Sequence, residues 1–499
     1  MKSVRISYGA SWSYLEAPEG QYPSLIRCVR DGLSVPMEGA FFAPSYQSGK
    51  WDGNIHFMTL GGKFASGLIP RVQEILRAVG YEAEVRNLPE PVDPPKEPPK
   101  LHGLPELVEE SPWWFQWTAV QACLKGGRGV LKSPTGSGKT QMAAMLAKVL
   151  CTERVLFLVD RIDLLDQTAD RFESLLQEPI ARIGGGDHRV SPSVRICVAT
   201  VQTLAEKKDK KTKVVLSPLW TKNTSLPRAW LSGVTLLFLD ECHLATTDSF
   251  FNVTQAFTAA NHRFGLSATP FDRGDLNTTK LLACCGEELY SIPARVLIDL
   301  GILAEPNIVM VDYQNVSDVA YERNSRTSYE EVYDRYVHSN PARNKAILDI
   351  VRGRTNVLVL VRKKANHGER LYQMLREALP EQSVAYVSGD STRRSRKEKR
   401  ADFLGGKMDI LIATSIYDKG VDLPNVSTLV LAEGGKNVAG TIQKLGRGMR
   451  GAVKDRVDVF DFYDLACPAL VEHTLSRYDT YSGEGYTVRV LTPEEALHS

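Results

Sequence analysis

The sequence holds no apolar run long enough to cross a bilayer, which argues against a helical membrane protein. Its opening stretch lacks the apolar segment of a secretory signal; Val4, Ile6 and Tyr8 alternate there as in a strand. The eight cysteines (Cys28, Cys123, Cys151, Cys197, Cys242, Cys284, Cys285 and Cys467) form no CxxC pair. That excludes a zinc ribbon or disulfide framework and predicts reduced core thiols in a cytoplasmic setting. Excess charge is also missing: 61 Lys and Arg face 59 Asp and Glu, a net charge of +2. Composition therefore does not point to nucleic acid, and the basic clusters at 207–213 and 393–400 read as readily as solvated surface. What is present is ordinary: 43% hydrophobic and 24% charged residues, enough to pack cores, in 499 residues that suggest about three domains.

A proline- and charge-rich stretch, 87–112, containing PEPVDPPKEPPK, predicts an extended linker. It sets off an N-terminal α+β domain, 1–86, with helices expected over 22–33 and 68–79 and a strand over 54–60. Beyond it, short apolar runs at 155–159, 196–199, 234–239, 357–361, 410–413, 428–431 and 457–460 alternate with helical stretches. Strands of that kind imply parallel sheets covered on both faces, and the series is too long for one sheet. Two α/β lobes are expected, 113–300 and 301–470, then a tail, 471–499.

Pro134-Thr135-Gly136-Ser137-Gly138-Lys139-Thr140 follows one apolar strand and opens a helix. Glycines there let backbone amides curl around a phosphate, and the helix N-terminus favours the anion. Lys139 is expected at the β- and γ-phosphates of ATP and Thr140 on Mg²⁺. Downstream, the strand 236–239 runs into Asp240-Glu241-Cys242-His243, with carboxylates at its carboxyl end, where open α/β sheets bind ligands. Asp240 is the second candidate for Mg²⁺ and Glu241 the candidate base for the attacking water.

The DECH run resembles the DExH box of superfamily-2 helicases. Further similarities follow in that family's order: VLFLVDRIDLLDQ (155–167), GLSATP (265–270), TSIYDKGVD (414–422) and QKLGRGMR (443–450). The resemblance implies two RecA-like lobes, with Arg447 and Arg450 as arginine fingers, Gly420 and Asp422 at the nucleotide, and His243, Ser267, Thr269 and Gln443 coupling the lobes. It makes Gln121 the candidate adenine reader, although Thr118 stands where an arginine is expected. Arg161, Gly185, Thr200, Arg362, Ser388 and Thr414 become candidate nucleic-acid contacts.

FFAPSYQSGKWDGNIHF (41–57) and the following Gly67-Leu68 resemble the N-terminal domain of UvsW-type phage helicases. That implies a branched-DNA helicase moving 3′ to 5′, with Lys50, Trp51 and Lys63 touching DNA. The implied setting is the cytosol of a bacterium or infected host. The expected partners are DNA and recombination proteins of phage or host, with no membrane and a monomeric chain. A duplex translocase that separates no strands, an RNA-directed ATPase and an ATP-gated clamp stay open. For Trp51 a core role, with Asp52-Gly53 as a plain hairpin turn, is as good a reading as DNA contact.

Overall fold

A computed structural model describes residues 2–16, 22–37, 39–188, 190–205, 227–271, 275–313, 329–362, 367–414, 425–435, 456–483 and 485–497. Gly420, Asp422, Gln443, Arg447, Arg450 and the basic cluster 207–213 lie outside these residues. The chain divides into two compact units, Met1–Ser133 with Gly138–Ile292, and Pro134–Ser137 with Pro293–Ser499.

In the first unit, seven strands lie in the order Glu288–Ser291, Arg128–Lys132, His262–Ser267, Leu236–Asp240, Val155–Val159, Ile196–Thr200, Ile180–Ile183, all paired in parallel. The apolar runs are central strands because helices cover both faces. Phe157 meets Phe172, Phe238 meets Phe157 and Phe264, with centroids 5.3–5.9 Å apart. The second unit repeats the plan: Val384–Val387, Ile410–Thr414, Val357–Val361, Thr428–Leu431, Arg456–Phe462, Glu305–Val311, Val488–Leu491, again all parallel. The last strand comes from the tail, which therefore completes this sheet.

The N-terminal domain is a four-stranded sheet, Lys63–Ala65, Trp12–Glu16, Lys2–Ser7, Tyr81–Arg86, with helices Tyr22–Gly32 and Ile69–Ala78. Only Asn54–His56 of the expected 54–60 strand forms, paired with Ser34–Pro36 in a separate hairpin. The domain is fused to the first lobe. Leu282 and Ala283 of helix Asp275–Cys285 belong to its apolar core, and a Cβ on Gly67 would stand 2.0 Å from the Leu282 carbonyl oxygen. Two arginines of the lobe pin it. Arg263, fully buried, donates to Ser11 Oγ at 2.6 Å and to the carbonyls of Ala260, Thr254 and Phe257. Arg128 reaches the Ala10 carbonyl at 3.1 Å.

The proline-rich stretch has no regular secondary structure, as its composition predicts, but it does not hang free. Val92 N bonds the Leu124 carbonyl, His102 N bonds the Leu175 carbonyl, and Lys148 donates to the Lys100 carbonyl. Leu101 is buried in the lobe's core, and Leu104 and Leu107 pack against it. It is a strap across helices Phe115–Gly126, Lys139–Val149 and Ile162–Leu176.

Candidate nucleotide and nucleic-acid sites

The phosphate loop lies between the strand Arg128–Lys132 and the helix Lys139–Val149. Ser133 N bonds the Ser267 carbonyl at 2.9 Å, tying the loop's start to the next strand. Gly136 and Gly138 have φ of 98° and 84°, conformations that disfavour any side chain. Lys139 Nζ donates to the Ser133 carbonyl at 3.0 Å, so the ammonium lies across its own loop. Ser133 Oγ and Thr135 Oγ1 are buried without a hydrogen-bond partner. Buried hydroxyls without partners, positive-φ glycines, a lysine and a helix N-terminus form a donor set suited to a polyphosphate.

Asp240 ends the strand Leu236–Asp240, and Glu241 leaves it at φ 47°, buried. That left-handed turn reverses the chain within one residue and keeps both carboxylates at the strand's carboxyl end. His243 Nδ1 lies 3.3 Å from Glu241 Oε2 and 3.1 Å from Ser267 Oγ, which accepts from Thr269 N at 3.2 Å. The acidic box and the SAT segment are thus one hydrogen-bonded group. Gly265 is required by packing: a Cβ there would stand 2.9 Å from the sulfurs of Cys242 and Cys285. Burial pushes both thiols up, in keeping with inert core residues; Cys28 and Cys151 are exposed.

Six of the candidate nucleic-acid contacts fall in two groups; the other three, Lys50, Trp51 and Lys63, lie in the N-terminal domain, where Lys63 Nζ stands 4.6 Å over the Trp12 ring. In the first unit, Arg161, Gly185 and Thr200 follow or end strands that are neighbours in the sheet. A Cβ on Gly185 would meet Ile162 at 2.3 Å, and one on Gly184 would meet Thr200 Oγ1 at 3.2 Å. In the second unit, Arg362, Ser388 and Thr414 stand at the carboxyl ends of three adjacent strands. The Arg362 guanidinium lies over the Tyr333 ring at 4.7 Å. Thr414 Oγ1 is buried without a partner. Ser388 is engaged locally, its Oγ accepting from Asp390 N at 3.3 Å.

Residues 8–86, 112–272 and 342–452 match, in turn, the families described as DNA helicase UvsW N-terminal, type III restriction enzyme res subunit, and helicase conserved C-terminal domain. The chain belongs to the superfamily-2 helicases. It is an ATP-hydrolysing enzyme. The ATP-dependent DNA helicase uvsW of Enterobacteria phage T4 is 25% identical over 463 residues, covering 88% of this chain and 86% of that protein. A Halobacterium salinarum protein named as a Rad25 DNA 3'-5' helicase is 30% identical over 389 residues, 74% of this chain, which spans 56% of that protein. Among solved structures, the restriction-modification enzyme LlaBIII superposes with a TM-score of 0.53 at 13% identity, over 78% of this chain and 31% of that one; the likeness is one of fold.

The structure also picks out a residue that the motifs pass over. Gln116, in the same helix as Gln121, is buried against the phosphate loop of this helicase. Its Nε2 donates to Gln141 Oε1 at 3.0 Å, and a Cβ on Gly138 would stand 2.2 Å from it. Gln121 lies about 140° further round the helix. The strap, Gln116 and the helix Lys139–Val149 line a half-open cavity of about 520 Å³, with Pro98, Leu104, Trp113, Trp114 and Gln141 on its walls. Trp117 is fully buried core, while Phe115 tilts against Trp113 at 6.1 Å. The available signal was the spacing of the aromatic–glutamine pair Phe115-Gln116 from the GKT.

Proposed function

We propose that this helicase unwinds and branch-migrates forked or four-way DNA, moving 3′ to 5′, in recombination, repair or replication restart. One observation carries the reading. The domain resembling the UvsW N-terminus is fixed to the first motor lobe by a shared apolar core and by Arg263 and Arg128. A grip rigidly joined to a lobe moves with it, so displacement of the lobe is transmitted to the DNA held.

In this reading Lys139 meets the β- and γ-phosphates, helped by the first-turn amides of its helix. Thr140 and Asp240 hold Mg²⁺, which neutralises phosphate charge when bound. Glu241 orients and deprotonates water. Arg447 and Arg450 supply the cations for the transition state, with Gly420 and Asp422 at the nucleotide and Gln443 beside them. His243, Ser267 and Thr269 report the state of Glu241 to the rest of the lobe. Gln116 is a better adenine reader than Gln121, and the 520 Å³ cavity beside it is the place for the base. Arg161, Gly185 and Thr200 in one lobe, and Arg362, Ser388 and Thr414 in the other, touch the sugar-phosphate track.

The test compares ATP turnover and strand separation by the full chain on forks, four-way junctions, blunt duplex and RNA duplex. Forks and junctions should stimulate hydrolysis and be opened only with ATP. Stimulation by blunt duplex with no strand separation on any DNA would make it a translocase. Stimulation by RNA alone would overturn the DNA reading.

A further inference from the structure

The motif P-x-x-x-x-G-x-W-D-G is spent on scaffolding. It spans the hairpin between Ser34–Pro36 and Asn54–His56. Pro44 opens the short helix Pro44–Gln47, and Gly49 turns the chain after it at φ 68°. Trp51 Nε1 donates to the Asn54 carbonyl at 2.8 Å, and Asp52 accepts from Asn54 N at 3.0 Å and lies 2.8 Å from His56 Nε2. Gly53, at φ 82°, carries the ring of Tyr46 over it, where a Cβ would stand 2.9 Å from Cε2. The amides of Ala40, Phe42, Ala43, Tyr46, Gln47, Ser48, Gly49, Lys50 and Trp51 are all bonded within the loop. Such order has no core to build, for neither short helix of the hairpin buries a residue.

What the scaffold presents is a row of rings. Phe42 is 79% exposed, Phe41 68% and Tyr46 40%. Phe41 stands 5.7 Å from Phe42 and 6.4 Å from Tyr46, centroid to centroid. An ordered, solvent-facing aromatic cluster marks an interaction surface. Its chemistry points to bases. The loop carries Lys50 and no carboxylate between 39 and 51; Asp52, just beyond, is kept ionised by the Asn54 amide and by His56, to both of which it is bonded. Within that span the charged residue is a cation, Lys50, which suits a phosphate. Each nucleobase has a π-face that stacks on phenylalanine regardless of sequence.

We infer that Phe41 and Phe42 form a stacking platform for the unpaired bases of branched DNA, with Lys50 on the adjoining phosphate. This rests on the DNA reading above. It makes the N-terminal domain a reader of the junction as well as a grip, because paired bases inside a duplex are already stacked on both faces. The rings lie too close together for a base to slide between them; the base stacks on the outer face of the row, at Phe42.

The test is the double variant Phe41→Ala/Phe42→Ala in the full chain. Neither side chain packs in a core, so fold and basal ATP hydrolysis stay as they are. The probes are a fork with 2-aminopurine at the first unpaired position and a blunt duplex of equal length, titrated without ATP. The variant should bind the fork about tenfold more weakly, lose the 2-aminopurine response and keep its affinity for the duplex. Phe42→Trp should retain the response. Equal loss on both DNAs, or no loss on either, overturns the platform, and the second result would leave a protein partner for the rings. These readings need no unwinding, so they separate from failure of the motor assignment, which would appear as a wild-type chain that binds forks but neither hydrolyses ATP in response nor opens them.

Discussion

Both units bury an arginine in their framework, one among neutral acceptors alone and the other among carboxylates as well. Arg263 of the first unit has neutral partners: three carbonyls and the Ser11 hydroxyl. Burial, with Arg128 nearby, pushes it down to about 9, and it stays charged at neutral pH. Arg477 of the second unit, in the helix Pro468–Gly483, has carboxylates, Asp461 at 2.8 Å and Asp464 at 3.6 Å, besides the carbonyls of Gly435 and Phe462. Burial alone would lower it, but those two acids hold it raised. Arg343 lies 3.0 Å from Asp464, and Tyr481 donates to Asp461 at 3.0 Å. Carbonyl oxygens solvate a guanidinium without carrying a charge that would be orphaned on its loss; carboxylates do not allow that escape. The first device pins on an accessory domain, and the second clamps the helix Pro468–Gly483 to its sheet.

Four changes probe that contrast. Lys139→Ala touches neither arginine: ATP hydrolysis should fall by ~100-fold or more, while denaturant unfolding of both units stays at wild-type values. A shifted unfolding midpoint would mean that the loop is structural. Removing residues 1–86 uncovers Leu282 and Ala283 and strips partners from Arg263 and Arg128. The loss should be about 5 kcal/mol or more, in the first unit only; a truncated chain with wild-type stability would break the pinning argument.

Replacing each arginine by methionine sharpens the comparison. Arg477→Met leaves buried carboxylates facing apolar carbon and should cost about 3–5 kcal/mol in the second unit. Arg263→Met orphans carbonyls and should cost about 1–3 kcal/mol in the first. Equal costs, resolved by separate unfolding transitions, would erase the distinction between the two devices.

The smallest effect concerns acid. His338 and His367 are buried and stacked at 4.6 Å. Burial, with Arg343 close by, lowers His338 from 6.5 to about 4; burial and His338 hold His367 well below its usual value. Asp334 at 3.9 Å opposes the shift in His338 weakly, and Arg362 and Arg370 reinforce it. Because the folded value is depressed, the stabilisation is full above pH 6.5 and is lost as pH falls toward 4. His338→Phe should flatten the second unit's stability profile in that window and leave pH 8 unchanged; an unaltered slope would refute the assignment.

The motifs read well where chemistry demands consecutive residues. A loop that must wrap a phosphate and then start a helix needs its glycines, lysine and threonine side by side, so 134–140 was plain in the sequence, as was the strand running into Asp240. The positions of Gln116 and Gln121 show the limit. Both fit a helix near the loop, and helical spacing alone does not say which faces it. The proline-rich stretch shows another: composition gave its extended backbone but not the Leu101 that buries it on the lobe. Trp51 fell between two readings because WDG is a local hairpin device, and its purpose, holding Phe41 and Phe42 in solvent, lies outside the motif.

Alternating apolar runs and helices determined two parallel α/β lobes, because a strand covered on both faces must be apolar throughout. Adjacent residues likewise determined the phosphate loop and the acidic box. Which residues meet across long separations, Arg263 with Ser11, Arg477 with Asp461, His338 with His367, only the tertiary structure decided. Such pairs depend on the packing of whole elements, and a buried charge or ring finds its partner by proximity in space, for which sequence distance carries no signal.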